Sequence, residues 1–295
     1  MPTKDKVIIE RQYALLERRL LCEHARDKSI RINFTDSNTE NSLTQLGFKI
    51  GECIHKKVKS EVHIVSSHEK NSLIAKVNLT TNDQQTNNLF REYQILSNAN
   101  HPQVPKSKQI IVTKDNTKIH IMDQVEGVDM SSITNKKYSL EEQIDFMCQI
   151  VDILDYFHDP KKNGIFIEPV THLDVTPYNI ISCGKKYHLI DFASAKTDSE
   201  FKMVKYNFGT DGFRDRYQEK ATTTSDFYSL AMTTLNLFYP SLFNPRNSNK
   251  DHEIKPSKRI NPELRRVLNT MISPILVLRY QSGAEIKKDL NKILK

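Results

Sequence analysis

Two short apolar runs in this chain end in residues able to hold a cation and move a proton. The first, Thr171-His172-Leu173-Asp174-Val175-Thr176-Pro177-Tyr178-Asn179-Ile180-Ile181, carries an acid and an amide, and the second, Leu189-Ile190-Asp191-Phe192-Ala193, carries another acid. Read as strand and loop ends, they offer two carboxylates and one amide where an active site can use them. Mg²⁺ takes oxygen ligands, commonly one or two carboxylates beside the phosphates of a nucleotide, and keeps several waters. A hydroxyl that accepts a phosphoryl group needs a carboxylate to orient it and take its proton. Asp174, Asn179 and Asp191 supply that set, so phosphoryl transfer is the chemistry these residues suit.

The order His172-x-Asp174-x4-Asn179 resembles the catalytic loop H-R-D-L-x-x-x-N of protein kinases, and Asp191-Phe192-Ala193 resembles their D-F-G. Aminoglycoside and choline kinases of related fold also carry H-x-D-x4-N followed by I-D, so this pair alone leaves a small-molecule kinase open. The second half of the chain favours the protein-kinase branch. Phe208-Gly209-Thr210-Asp211-Gly212-Phe213-Arg214-Asp215-Arg216-Tyr217 resembles G-T-x-x-Y-x-A-P-E, and Asp226-Phe227-Tyr228-Ser229-Leu230 resembles the D-x-Y-S-L that opens a helix, here running through Phe238. Arg279, in Leu278-Arg279-Tyr280-Gln281-Ser282-Gly283-Ala284-Glu285, matches the arginine that partners the A-P-E glutamate. The resemblance covers residues 46–292. It implies an α+β, bilobal protein-kinase-like fold: a small antiparallel β-sheet N-lobe with its αC helix over 46–124 and a mainly helical C-lobe over 125–295, after an N-terminal helical extension over 1–45.

The elements that must position these groups are visible in the apolar spacing. Short strands alternate with charged turns at Phe48-Lys49-Ile50, Val62-His63-Ile64-Val65 and Leu73-Ile74-Ala75-Lys76-Val77. Lys76 stands inside an apolar strand, where a charge is costly unless an anion meets it. By its likeness to V-A-I-K, Lys76 contacts the α- and β-phosphates, with Val62 and Ala75 among the nucleotide-binding positions. A helix follows from about Asn87 to Asn98 with Leu89, Phe90, Tyr93 and Leu96 as its apolar positions, and the resemblance makes Glu92 the ion-pair partner of Lys76. Ile119 to Met130 resembles the strand and hinge between the lobes, which implies Met122 as gatekeeper, Asp123, Gln124 and Val125 as backbone facing adenine, and Asp129 as a ribose contact. Glu141 to His158 has the period of a long buried helix, and Asp159 to Thr171 is a longer link than the family uses. The implied roles are Asp174 as proton acceptor and Asn179 and Asp191 as Mg²⁺ ligands.

Several positions depart from the family. Aligning Val62 with the valine of G-x-G-x-x-G-x-V puts His55, Lys57 and Ser60 where glycine lets backbone approach phosphate, while Lys56, Lys57 and Lys59 offer charge instead. Leu173 replaces the arginine of H-R-D, so a phosphate on Ser199, Tyr206 or Thr210 lacks its main bidentate partner. Activity independent of activation-segment phosphorylation is the expectation. Thr176 stands where serine/threonine kinases keep a lysine, which removes a transition-state charge contact. Ala193 replaces the glycine of D-F-G, and Asp215-Arg216-Tyr217 replaces A-P-E, so the buried pair of Arg279 must be absent or rewired. Asp226 either holds the catalytic-loop backbone, as the resemblance implies, or caps its own helix.

With 295 residues and 38% hydrophobic content the chain can bury a substantial core. A net charge of +7 and a pI near 9.0 attract anions, but the lysine pairs at 56–57, 136–137, 161–162 and 185–186 are short and scattered, which argues for a solvated surface and against nucleic acid. Cys22, Cys53, Cys148 and Cys183 show no C-x-x-C spacing, so neither zinc nor a disulfide scaffold is indicated and a reducing, cytoplasmic setting fits. No apolar run approaches the ~20 residues of a membrane span. The Asn- and Lys-rich composition suits an AT-rich genome, and delivery into a host cell is the variant of the cytoplasmic reading that this allows. Residues 5–27 have the apolar period of an amphipathic helix that packs on the small lobe or meets a regulatory partner, and 34–44 reads as loop. The implied activity is an ATP-dependent protein kinase that passes the γ-phosphate of Mg-ATP to a protein hydroxyl, serine or threonine rather than tyrosine. A pseudokinase scaffold, and a kinase of small molecules or lipids, stay open beside it.

Overall fold

Leu73, Ala75 and Val77 bury alternate side chains of one strand, the period-two pattern of a sheet with one face on a core. The structure, a computed structural model, describes residues 32–35, 43–57, 60–68, 72–79, 83–113, 117–133, 137–163, 166–201, 209–215, 222–243 and 253–295. The amphipathic helix expected over 5–27 lies outside them, as do Cys22, Lys59, Tyr206, Phe208, Arg216 and Tyr217. Strands β1 (Ile32–Thr35), β2 (Lys49–Lys57), β3 (Ser60–Ser66), β4 (Leu73–Asn78), β5 (Ser107–Thr113) and β6 (Lys118–Asp123) form one sheet in the order β1-β5-β6-β4-β3-β2. Five of them pair antiparallel, as expected of the small lobe. The sixth does not: β1 runs parallel to β5, with Ile32 opposite Ile110 and Thr35 opposite Thr113. The stretch expected to pass from helix into loop therefore contributes a strand to the sheet.

Helix α1 (Asp83–Asn98) begins one turn before the expected Asn87 and sets Leu89, Phe90 and Tyr93 against Ile110 and Val112 of β5. In the second half, α2 (Leu140–His158), α3 (Thr223–Phe238), α4 (Pro262–Met271) and α5 (Gly283–Ile293) surround the larger core. Between them run β7 (Val128–Asp129), β8 (Val170–Thr171), β9 (Ile180–Cys183), β10 (Lys186–Leu189) and β11 (Lys196–Thr197), paired as β10-β9-β7 and β11-β8. Helix α2 starts in a capping box: Ser139 Oγ accepts from Glu142 N, and Ser139 N donates to Glu142 Oε2 at 2.7 Å. Its buried Ile144, Phe146, Met147, Ile150, Val151, Ile153, Leu154 and Phe157 are the face the periodicity marks. Among the described residues no helix is long and apolar enough to cross a membrane.

The cap reading of Asp226 is overturned. Helix α3 begins at Thr223, and Thr222 is its N-cap, with Thr222 N donating to Ser225 Oγ at 3.0 Å; Asp226 lies a turn inside and faces elsewhere. The Arg279 pair is rewired rather than lost. Asp215, which stands at the alanine of A-P-E, puts Oδ2 2.6 Å from Arg279 Nη2, and both side chains are buried. Arg279 Nε donates to Ser273 O at 2.6 Å, and its guanidinium lies over the Tyr228 ring at 5.1 Å. Removing one partner of a buried pair leaves the other charge uncompensated, at a cost of about 3–5 kcal/mol. Asp215→Asn should therefore lower the melting temperature sharply, while the double change Asp215→Leu with Arg279→Met recovers most of it; a double variant as unstable as the single one would show that the ion pair is not the source.

Candidate active site

One ammonium group joins three separate elements. Lys76 leaves β4 on the face opposite Ala75 and Val77, and its Nζ donates to both oxygens of Glu92 on α1, at 2.9 and 3.1 Å, and to Asp191 Oδ1 at 2.6 Å. Burial would lower the Lys76 pKa, but the Asp191 and Glu92 charges outweigh it and hold the amine above its usual value. Burial would likewise raise Glu92, yet Lys76, with His120 behind it, keeps the carboxyl well below the usual carboxylate range. Glu92 Oε1 also accepts from Phe192 N at 3.0 Å, so α1 is tied to the Asp191-Phe192 backbone as well as to Lys76.

Asp191 adopts φ 63°, one of two non-glycine residues in the left-handed region among those described. Such conformations cost energy and persist where their surroundings enforce them. Here Phe192 is the anchor, fully buried against His172 and Phe157 at ring separations of 4.6 and 4.8 Å. The other residue is Leu173, at φ 67°. Its N–H and that of His172 donate to the two oxygens of Asp226, at 2.8 and 2.7 Å, and His158 Nε2 lies 2.9 Å from the same carboxylate. Asp226 thus holds the loop backbone.

Asp174 emerges from this fixed loop with both carboxylate oxygens occupied. Oδ1 accepts from Thr210 N and Oγ1, at 2.9 and 2.8 Å, and Oδ2 accepts from Asn179 Nδ2 at 2.9 Å. Asn179 Nδ2 also donates to Asp174 O, which leaves the amide oxygen turned away from Asp174. Thr210 reaches Asp174 because Gly209, at φ 88°, passes the Leu173 carbonyl so closely that a Cβ there would lie 2.4 Å from its oxygen. Thr176 is buried, so the position where a lysine was expected of the family carries no charge.

The positions expected to bind nucleotide follow the strand register. Val62 stands opposite Lys76 on β3, Met122 opposite Ile74 on β6, and Ala75 is buried between them on β4. Asp123 N donates to Lys106 O at 2.9 Å and its carboxylate meets Lys108 at 3.2 Å, while Gln124 bonds Ser72 and Val125 follows in the same link. Asp129, expected as the ribose contact, is already engaged by Ser131 and by Ser132 N at 3.0 Å. In the hairpin that replaces the glycine loop, β2 and β3 pair to Lys57 opposite Ser60, and Lys56 is bound to Glu61 at 2.7 Å rather than standing ready for phosphate.

Two contacts were not legible beforehand. Arg91, next to Glu92 on α1, bonds Glu200, whose other oxygen accepts from Thr197 N at 2.9 Å. Glu168, in the long link, accepts from Ser199 N and Oγ at 2.8 and 2.6 Å. Chain acids therefore hold the segment after Ala193 to both α1 and the link. A divalent cation fits the oxygens left at Asp191 and Asn179. Among the described residues no group of three or more His, Cys, Asp or Glu could enclose a metal alone, so its remaining ligands would come from phosphate and water, as Mg²⁺ prefers.

A family model described as protein kinase domain matches residues 49–292. Over 161 residues the chain is 29% identical to a protein of Acanthamoeba polyphaga mimivirus named "putative serine/threonine-protein kinase", an alignment covering 49% of this chain and 55% of that one. The chain thus spans about half the length of the curated relative it matches.

The ion triplet sets a pH signature. Glu92 has its pKa depressed from 4.5, so its contribution to stability is fully present above that value and is lost as pH falls toward the depressed one. Glu92→Gln should be less stable than the wild type at pH 7, and the gap in melting temperature should close as the pH drops below about 4. A gap independent of pH would remove the charge from the explanation.

Proposed function

The chain belongs to the protein kinase family, and from that premise we propose that it transfers the γ-phosphate of Mg-ATP to a serine or threonine hydroxyl of a protein. The observation that carries this reading is the convergence of Lys76, Glu92 and Asp191, with Asp174 and Asn179 hydrogen-bonded to each other beside them. A chain that had given up transfer would have no need to keep buried charges so matched. Lys76, steered by Glu92, tethers the α- and β-phosphates; Asp191 and the Asn179 amide oxygen hold the cation. Bound Mg²⁺ supplies neutralisation of the charge spread over the phosphates. Asp174 orients the acceptor hydroxyl and takes its proton. Val62, Ala75 and Met122 line the base, the backbone of Asp123 to Val125 faces it, and Asp129 meets the ribose.

The Asp174 carboxylate already accepts an aliphatic hydroxyl, that of Thr210, the kind of group a serine or threonine acceptor would present. The name of the mimivirus relative points the same way. Independence from activation-segment phosphorylation is supported by two residues. Leu173 leaves no guanidinium in the catalytic loop, and Glu200 presents to Arg91 the carboxylate that stands in for a phosphate. The substituted glycine hairpin favours a second reading, a scaffold that binds nucleotide without transferring phosphate, because backbone cannot approach the phosphates as closely there. The segment 5–27, read from sequence as an amphipathic helix, remains the one proposed to meet a regulatory partner.

With labelled ATP, Mg²⁺ and generic protein substrates, wild type should incorporate phosphate, and Asp174→Ala and Asp191→Ala should reduce incorporation to background. A nucleotide-induced thermal shift with no incorporation would select the scaffold, and transfer only to small alcohols or phosphoinositides would select a kinase of small molecules or lipids. Ser199→Ala with Tyr206→Phe should leave the rate unchanged. Glu200→Gln should lower it by about tenfold, the worth of one charge-assisted contact. Thr210 is unsuited to this test because it touches Asp174 directly.

A further inference from the structure

Strand β6 places beside the ion triplet a titratable side chain that the phosphoryl-transfer reading leaves unused. His120 is completely buried and stands opposite Lys76 in the β4–β6 register. Its Nδ1 lies 3.7 Å from Glu92 Oε2, too far for a direct hydrogen bond and close enough for an N–H dipole to act on the carboxylate. Its Nε2 is 2.6 Å from Ser107 Oγ on β5, and its ring meets Tyr93 on α1 edge-on at 5.5 Å. The polar groups facing it are therefore Lys76 from β4, Glu92 and Tyr93 from α1, and Ser107 from β5.

Burial and the Lys76 charge push the His120 pKa down, and Glu92 pulls it only part of the way back, so the ring is neutral at neutral pH. A neutral imidazole has one donor and one acceptor. An Nδ1 lone pair aimed at Glu92 would repel the carboxylate, whereas an Nδ1–H attracts it. Nε2 is then the acceptor, and the Ser107 hydroxyl, which can rotate to donate, fixes that tautomer. Glu92 has Oε1 on Phe192 N and Oε2 toward His120, with Lys76 bridging both.

We propose that His120, oriented by Ser107, is a positioning residue for Glu92: its Nδ1–H steadies the oxygen that Phe192 does not use and so keeps Lys76 aimed at Asp191 and the phosphates. This rests on the kinase reading of the site. It adds to that site a buried Ser107-His120-Glu92 relay reaching from β5 to α1.

Three full-length variants separate positioning from packing. His120→Asn keeps a donor at the Nδ1 position and loses the link to Ser107; His120→Gln reaches Ser107 and withdraws the Nδ1 donor; His120→Leu fills similar space with neither. The Leu and Gln variants should lose on the order of tenfold in kcat/KM for phosphate transfer, while Asn keeps most of it. The Leu variant should do so without a lower melting temperature, because a buried polar group has been replaced by an apolar one. Activity that follows melting temperature across all three, or Asn falling with Leu, would overturn the proposal. Independently of turnover, ¹⁵N-resolved NMR of the imidazole should show the Nδ1–H tautomer, and an Nε2–H tautomer would overturn the relay. Wild type that transfers no phosphate but shows the Nδ1–H tautomer would refute the kinase reading and leave the Glu92 contact standing.

Discussion

A lysine ammonium between two carboxylates is the constraint that the rest of the structure serves. Glu92 is almost wholly removed from water, and charges in such a place are tolerated only when met at close range. Lys76 meets it from β4, and the same nitrogen reaches Asp191, beyond β10. Satisfying one buried charge therefore fixes a helix, a strand and a loop relative to one another. The Phe192 N–H on Glu92 adds a main-chain tie to the same carboxylate, so α1 cannot move without disturbing the segment that carries Asp191. Position of the helix and geometry of the site become one variable.

Elsewhere the chain uses buried or half-buried acids to collect backbone N–H groups. Asp226 takes two from the catalytic loop, Asp155 takes Gly283 N at 2.8 Å while also meeting Lys162, and Glu168 and Glu200 take Ser199 N and Thr197 N. Only Glu200, through Arg91, takes the place of a phosphate; Asp226 does what the family's aspartate does. This is how Leu173 can hold a left-handed backbone without a charged side chain of its own: its amide is pinned by Asp226 and its carbonyl is packed against Gly209. The departures from the family pattern thus come with their own supports.

How much of this could be read from the sequence depends on range. Lys76, Glu92, Asp174, Asn179 and Asp191 sit in short motifs whose spacing is set by local geometry, so their identities were legible, and the strand and helix periods placed them on the right elements. The Asp226 contact was legible only as an alternative to a cap, because an Asp near a helix start fits both. Asp215 was read as part of a lost motif; that it reaches Arg279 depends on how α3 and the loop before it pack, which no local pattern encodes. His120 belongs to no motif that singles it out, and its neighbours Ser107 and Glu92 come from two other elements. Lys56 was offered as a phosphate contact and instead takes the acid opposite it in the hairpin, because the two-strand register sets Glu61 directly across from it. The roles assigned around the base, from Val62 to Asp129, rest on register rather than on a contact.

Strand β1 lies before the matched domain and yet is built into its sheet, hydrogen-bonded along β5 from Ile32 to Thr35. A sheet's outermost strand carries a row of unsatisfied amides and carbonyls that templates the addition of foreign strands. In this chain β1 takes up that row on β5 and stands as the outermost strand in its place. A fragment trimmed to the family boundaries would keep every group of the ion triplet and expose an adhesive margin, and would be expected to self-associate through β5.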